Sequence, residues 1–173
     1  MSKKIKVAFD LDGVIVDKPP IIPKTLLEYF FRGSKKQLDY HFPRRKIDQY
    51  LRKFSHFYLF RPPISINISL IKKLFQQQNL ELLIISSRYS FLNRETENWL
   101  NKREVKKYFK EIFTNTSDEK PHLCKEKIIK KVKPDIFIDD DADVVNYLKT
   151  KFPGIKFFVF SKDDPLDLNK LLK

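Results

Sequence analysis

Cysteine, histidine and long apolar runs are scarce in this sequence. Its single cysteine, Cys124, excludes an intramolecular disulfide. The three histidines, at positions 41, 56 and 122, have no paired spacing, so a zinc centre has little support. No segment reaches the roughly 20 apolar residues that a membrane-spanning helix needs. Because the first apolar run follows directly after MSKK, we expect no signal peptide and a cytoplasmic protein with no membrane partner.

Apolar residues and positive charge are abundant. The chain has 173 residues, 42% of them hydrophobic and 16 of them phenylalanine, which is enough to fill the core of one domain. The formal net charge is +13, and residues 18–62 carry 11 lysines and arginines against three acids. This local excess is either a solvated basic surface or a region that attracts anionic ligands.

Five short apolar runs predict strands, and the stretches between them predict helices. The strand runs cover residues 5–11, 80–86, 111–115, 135–140 and 155–160. The helical stretches cover residues 69–78, 92–109, 120–132, 144–152 and 166–172. Runs that are apolar throughout are typical of strands buried on both faces of a parallel sheet. The alternation predicts an α/β fold, a doubly wound parallel five-stranded sheet wrapped by helices.

One stretch interrupts this alternation. Residues 18–63 follow the first strand, are framed by KPP and RPP, and contain amphipathic runs at 25–31 and 46–60 that predict two helices. We expect a small helical cap at 18–63 and a core domain formed by 1–17 and 64–173. The aromatic run FSHFYLF at 54–60 either stacks a ring of a ligand or forms the core of this cap.

Polar side chains end the predicted strands. Asp10 and Asp12 end the first strand, Ser86 ends the second, and three aspartates at 139–141 end the fourth. The carboxyl ends of parallel strands meet at one edge of a sheet, where ligands bind. Carboxylates and a hydroxyl there suit Mg²⁺, with a phosphate completing its shell. Since Gly13 permits a tight turn, one of the first two acids can attack phosphorus while the other handles the proton.

The same residues carry a resemblance to a known superfamily. DLDGV at 10–14, IISSR at 84–88, a lysine upstream of KPDIFIDD, and the acidic pair ending that run resemble the four motifs of the haloacid dehalogenase superfamily, in their order and spacing. The resemblance spans most of the chain and implies a Rossmann-type core with a small type-1 cap. Because Asp12 is present, the chain resembles the phosphatases of this superfamily rather than its dehalogenases.

The resemblance also implies roles for individual residues. It makes Asp10 the nucleophile and Asp12 the general acid and base. Phosphate binding falls to Ser86, with Ser87 as the less favoured serine, and to Lys125, with Lys120 as the alternative lysine. The implied metal ligands are Asp10, Asp12, Asp139 and Asp140, with Asp143 as the alternative to Asp140, while Asp141 and Asp143 are expected to cap the following helix.

The expected function is hydrolysis of a small phosphorylated substrate. The resemblance implies a Mg²⁺-dependent phosphomonoesterase that forms an aspartyl-phosphate, and the SSR segment is similar to 5′-nucleotidases, with Arg88 holding the substrate. The alternatives are a phosphomutase of the same superfamily and a non-catalytic nucleic-acid-binding protein, although an intact set of carboxylates makes nucleic acid the weaker partner. The sequence predicts no oligomeric state.

Overall fold

The sheet of this protein has five parallel strands in the order β3-β2-β1-β4-β5. The computed structural model describes residues 4–19, 38 and 40–172. The strands are β1 (Ile5–Phe9), β2 (Leu80–Tyr89), β3 (Glu111–Asn115), β4 (Ile136–Asp139) and β5 (Lys156–Val159). The first strand therefore lies in the middle of the sheet and pairs with β2 on one side and β4 on the other.

Six α-helices connect or flank these strands in the described ranges. They are α1 (Lys46–Ser55), α2 (Ser65–Phe75), α3 (Asn93–Lys102), α4 (Pro121–Val132), α5 (Ala142–Lys151) and α6 (Leu168–Leu172). Two short 3₁₀ helices, Ser90–Leu92 and Lys106–Tyr108, flank α3. None of the helices in this described part is long and apolar enough to cross a membrane.

Helices cover both faces of the sheet. On one face, Val7 and Phe9 of β1 belong to a buried cluster with residues of α2, α3 and α6, among them the fully buried Trp99. On the other face, Ala8 packs in a second cluster with residues of α4 and α5. Because successive side chains of a strand point to opposite faces, β1 contributes to both clusters. The predicted doubly wound α/β fold is confirmed.

Several predicted boundaries were wrong. The helix predicted at 92–109 ends at Lys102, because Glu104 adopts a left-handed backbone with φ of 54° and the chain continues as a 3₁₀ turn. The cap helix predicted at 46–60 ends at Ser55. The cap helix predicted at 25–31 lies outside the described residues.

The 18–63 segment leaves and rejoins the core at one point. The Asp17 backbone N–H donates to the Pro62 carbonyl at 2.8 Å, and Ile64 N–H donates to the Ile15 carbonyl at 2.9 Å. Val16 and Pro63 form a β-bridge between these two contacts. The segment thus begins and ends beside the carboxyl end of β1, which places its last residues next to Asp12. The division into core and cap stays a prediction.

Candidate active site

A cavity of about 450 Å³ lies at the carboxyl ends of the central strands. It is lined by Asp10 and Asp12 after β1, Asp139 at the end of β4, and residues of the segments that follow. The connections of β1 and β4 run to opposite sides of the sheet here, and such reversal points are where open α/β sheets bind ligands. The predicted convergence of strand-terminal acids therefore occurs in the fold.

Three of these acids form one cluster. Asp10, Asp139 and Asp140 each offer a carboxylate oxygen, and these oxygens lie within 4.8 Å of one another. The turn after β1 makes room for them, because Gly13 has a φ of 78° and an added Cβ there would lie 2.0 Å from Asp140 Oδ2. Glycine is therefore required at position 13 both for its backbone conformation and for the close approach of Asp140.

Lys125 of α4 is the cation nearest to this cluster. Its Nζ lies 2.7 Å from Asp139 Oδ2 and 3.1 Å from Asp10 Oδ1, and all three side chains are buried. Burial by itself would lower the pKa of Lys125, but Asp10 and Asp139 together outweigh burial and raise it above its ordinary value. The alternative lysine, Lys120, is instead the N-cap residue of α4.

The cluster carries more negative charge than Lys125 balances. Burial raises the pKa of Asp10 well above its usual value despite Lys125, and Asp139 and Asp140 add to that rise. Burial, followed by Asp139, also raises the pKa of Asp140 to about 6. Buried carboxylates with raised pKa values bind a cation in exchange for protons. Three hard oxygen donors fit Mg²⁺, so the predicted cofactor fits Asp10, Asp139 and Asp140.

Asp12 has a different environment from Asp10. Its carboxylate accepts hydrogen bonds from Arg88 Nε at 2.6 Å and Arg88 Nη2 at 2.7 Å, and it also contacts Arg61 Nη2. Burial alone would raise the pKa of Asp12, but the two guanidinium groups outweigh burial and hold it well below its usual range. The sequence interpretation counted Asp12 among the metal ligands. In the part of the chain that is described, the Asp12 carboxylate instead faces two arginines and lies outside the three-acid cluster.

Ser86 and Arg88, the two predicted site residues near the end of β2, have different surroundings. Ser86 is buried, and its hydroxyl oxygen accepts a hydrogen bond from the Arg88 backbone N–H at 3.2 Å, whereas the neighbouring Ser87 lines the cavity. The Arg88 guanidinium also lines the cavity but is bound to Asp12 and to Thr96 Oγ1, 3.1 Å away. Phosphate binding by Ser86 and substrate binding by Arg88 stay predictions.

The acids after Asp140 begin the next helix. Asp141 is the N-cap residue of α5, and its side chain accepts hydrogen bonds from the backbone N–H groups of Asp143 and Val144. The predicted capping by Asp141 is confirmed. Asp140, rather than the alternative Asp143, belongs to the three-acid cluster.

Sequence reasoning missed several residues of the cavity, among them Arg61 and His56. Both are buried, and both come from the 18–63 segment. Burial and the neighbouring Arg88 and Arg61 lower the pKa of His56 to about 3, so its ring is neutral at pH 7. The one available signal for Arg61 was its place in RPP, where the segment rejoins β1. The RPP segment predicts a boundary of the 18–63 segment and does not by itself indicate a site residue.

Comparisons with known proteins agree with the fold. No protein-family model and no curated protein sequence matches the chain. A haloacid dehalogenase-like hydrolase from Streptococcus pneumoniae aligns at a TM-score of 0.57 and 16% identity, over 99% of this chain and 91% of that one. The fold is that of haloacid dehalogenase-like hydrolases. A second such enzyme, from Bacteroides thetaiotaomicron, is an aspartate-to-alanine mutant in complex with magnesium and inorganic phosphate; it aligns at 0.56 and 11% identity, over 93% and 96%.

A third structure with this haloacid dehalogenase-like fold belongs to a larger assembly. A chain of the Pnkp1/Rnl/Hen1 complex aligns at a TM-score of 0.63 and 16% identity, over 92% of this chain. The present chain spans only 46% of that protein. These identities are low, so the three structures establish a shared fold and leave the activity to the arguments from the site.

Proposed function

We propose that this protein is a Mg²⁺-dependent phosphomonoester hydrolase that works through an aspartyl-phosphate on Asp10. The observation that carries the proposal is the separation of the first two acids into two environments. Asp10 belongs to the carboxylate cluster with Lys125, whereas Asp12 is held by two arginines in the same cavity. Two carboxylates in different surroundings can take different roles in one reaction.

In the first step, a carboxylate oxygen of Asp10 attacks phosphorus and the bond from phosphorus to the alcohol oxygen breaks. A proton on Asp12 passes to the departing alkoxide, so that an alcohol leaves and Asp10 carries the phosphoryl group. Lys125 supplies positive charge beside Asp10 and is held in place by Asp139. When it is bound at Asp10, Asp139 and Asp140, Mg²⁺ would neutralise charge on the phosphoryl oxygens.

In the second step, a water molecule attacks the phosphoryl group on Asp10 and the acyl-phosphate bond breaks. Asp12 accepts a proton from that water, which restores its protonated form, and inorganic phosphate leaves. The arginines lower the pKa of Asp12, so its protonated state requires a weaker hold by the guanidinium groups in the substrate complex.

The substrate within the phosphomonoester class is less constrained. Of the aromatic run at 54–60, His56 lines the cavity, whereas Phe54 and Phe57 each pack against Phe60 with ring centroids 5.1 and 5.9 Å apart. These rings lie outside the cavity lining, which speaks against base stacking, and Phe54 and Phe57 are 68% and 44% exposed, so they do not form a buried cap core either. The 5′-nucleotidase assignment is therefore supported only by the similarity of the SSR segment to 5′-nucleotidases.

The test is Mg²⁺-dependent release of phosphate from 5′-nucleotides, sugar phosphates and an aryl phosphate. We expect turnover with Mg²⁺, none with EDTA, and loss of turnover in Asp10→Asn. The exposed Asp163→Asn is a matched control because Asp163 lies outside the cavity lining. An enzyme that needs a bisphosphate activator and transfers phosphate without releasing it would be a phosphomutase. Turnover that survives Asp10→Asn would refute the proposed nucleophile.

A further inference from the structure

The cavity contains a second charged region beside the carboxylate cluster. Arg52, Arg61 and Arg88 line it, and Asp12 is the acid that both Arg61 and Arg88 contact. Arg61 and Arg88 are both buried, and their two positive charges meet one carboxylate, that of Asp12, whose side chain is 34% exposed. An unbalanced buried charge is costly unless a partner of opposite sign binds to it.

Arg88 uses three of its five N–H donors within the protein. Its Nε and Nη2 donate to the two oxygens of Asp12, and its Nη1 donates to Thr96 Oγ1. All three nitrogens of this guanidinium are therefore engaged. A bidentate pair of this kind fixes the orientation of the carboxylate, which makes Arg88 a positioning residue for Asp12.

Arg61 has unused donors. Its Nη2 donates to Asp12 Oδ1, the same oxygen that Arg88 Nη2 already serves, and its Nε is buried with no hydrogen-bond partner. The Arg61 carbonyl accepts a hydrogen bond of 2.6 Å from Trp99 Nε1, which ties its backbone to the core. A further acid that acts on Arg61, Asp17, binds Lys162 at 2.5 Å.

Arg61 is thus a fixed, buried cation whose Nε has no acceptor among the described residues. Arg52 adds a second guanidinium to this part of the cavity, where it lies over the Tyr89 ring at 5.5 Å. His56 lines the same region without adding charge at pH 7. The region has the chemistry of an anion site, because guanidinium groups bind phosphate and carboxylate through paired donors.

We propose that Arg61, with Arg52 at its side, binds a second anionic group, a phosphate or a carboxylate, carried by the alcohol portion of the substrate. The inference rests on the proposed hydrolysis, in which Asp12 protonates the leaving oxygen and therefore lies next to the leaving group. Groups that surround Asp12 meet that part of the substrate rather than the transferred phosphoryl group. The preferred substrates are then phosphomonoesters with a second negative charge a few bonds from the ester oxygen.

Binding is tested without turnover. Calorimetry in Mg²⁺ compares 3-phosphonopropionate and 1,3-propanediylbisphosphonate with propylphosphonate, which lacks the second anion. We expect at least one of the two doubly anionic ligands to bind the wild type roughly 10- to 100-fold more tightly, as for a charged hydrogen bond. The doubly anionic ligand whose affinity exceeds that of propylphosphonate by more identifies the second group as carboxylate or phosphate. Equal affinity for all three ligands would overturn the proposal.

Variants assign the effect to Arg61. Arg61→Gln is expected to abolish the preference for the second anion, and Arg61→Lys to keep part of it, because lysine retains the charge without the planar fork. Arg45→Gln is the matched control, since Arg45 is exposed and pairs with Asp48 outside the cavity. A preference that persists in Arg61→Gln refutes the assignment. If that variant does not fold, a reduced preference in both Arg61→Lys and Arg52→Gln supports the proposal, and its full retention in both refutes it.

Turnover separates this proposal from the proposed function. In each variant, kcat/KM is measured for two pairs of esters. The first pair is 2-phosphoglycolate and 2-hydroxyethyl phosphate, and the second is a nucleoside 3′,5′-bisphosphate and its 5′-monophosphate. Within each pair, the ratio of the two kcat/KM values gives the preference for the second anion. A wild type that hydrolyses neither these esters nor any member of the panel above defeats the proposed hydrolysis, while the calorimetry still decides the anion site. A wild type that hydrolyses both members of each pair equally well keeps the hydrolysis and defeats the anion site.

Discussion

Replacing Lys125 by methionine should destabilise the protein far more without Mg²⁺ than with it. Lys125 bridges Asp10 and Asp139 at 3.1 and 2.7 Å, and its side chain is 3% exposed. Methionine is unbranched like lysine and fills similar space, but it leaves the two carboxylates without their buried cation. The change therefore isolates the charge of Lys125 from its volume.

The expected magnitude follows from burial. Removing one partner of a buried ion pair costs about 3–5 kcal/mol, whereas a surface pair contributes about 0–1 kcal/mol. Lys127 lies one half-turn further along α4, pairs with Glu119 and is 69% exposed. We expect Lys125→Met to lower the free energy of unfolding by about 3–5 kcal/mol in EDTA, and Lys127→Met to lower it by less than about 1 kcal/mol.

Mg²⁺ should restore part of the loss. A ligand that binds only the folded state adds about 2.7 kcal/mol at 100 times its dissociation constant. A cation at the three-acid cluster also replaces the charge that methionine removes, so the variant gains more from Mg²⁺ than the wild type does. Lower pH acts in the same direction, because protonation of Asp10 removes the charge that Lys125 balanced.

Urea unfolding of the wild type and both variants, each in EDTA and in saturating Mg²⁺, measures these differences. The reasoning is refuted if Lys125→Met costs no more than Lys127→Met in EDTA. It is also refuted if the deficit of Lys125→Met is the same with and without Mg²⁺, since the cation and the lysine would then act on different charges.

Three further expectations concern single positions. Gly13→Ala should destabilise the protein by at least about 1–2 kcal/mol, because residue 13 has a left-handed backbone. The added Cβ should also displace Asp140 and so weaken Mg²⁺ binding in a titration. Gly154→Ala, with nothing within 4 Å of the added Cβ, should do neither. In metal-free protein, the raised pKa of Asp140 predicts a loss of stability as pH rises from 3.8 to about 6, and Mg²⁺ should reverse that loss most fully above pH 6; a flat pH profile of unfolding would contradict this. Asp118→Ala should cost about 2 kcal/mol because the carboxylate accepts from the backbone N–H and the hydroxyl of Ser90 at 2.7 and 2.8 Å, and Asp118→Asn, which keeps one acceptor, should cost less in thermal unfolding.

The parts of the fold that the sequence predicts well are those set by local pattern. The apolar residues Val7–Phe9 of β1 are buried, as the pattern predicts for a strand covered on both faces, and the acids that follow the parallel strands β1 and β4 meet at one edge of the sheet. The resemblance favoured Lys125 over Lys120 as the phosphate-binding lysine, and that role stays a prediction. Helix ends were less predictable, since the left-handed Glu104 that ends the region of α3 has no strong local signal.

The surroundings of Asp12 could not be predicted. We expected its charge to be balanced by a bound cation, but the groups that contact it are Arg61 and Arg88, 49 and 76 residues away in sequence. Arginines are common in a chain with 35 basic residues, and nothing local indicates which of them become buried. Only the return of the chain at Pro62 and the bulged end of β2 bring these two to one carboxylate.

The central position of β1 determines when the site can exist during synthesis. Its neighbours in the sheet begin at Leu80 and Ile136, so β1, which precedes Asp10, is synthesised long before the strands it pairs with. Lys125 and Asp139 are likewise made more than 100 residues after Asp10. A nascent or truncated chain that lacks β4 therefore has Asp10, the proposed nucleophile, without its cluster and should show no partial activity. Activity would then appear only after β1, Lys125 and β4 have come together in the folded chain.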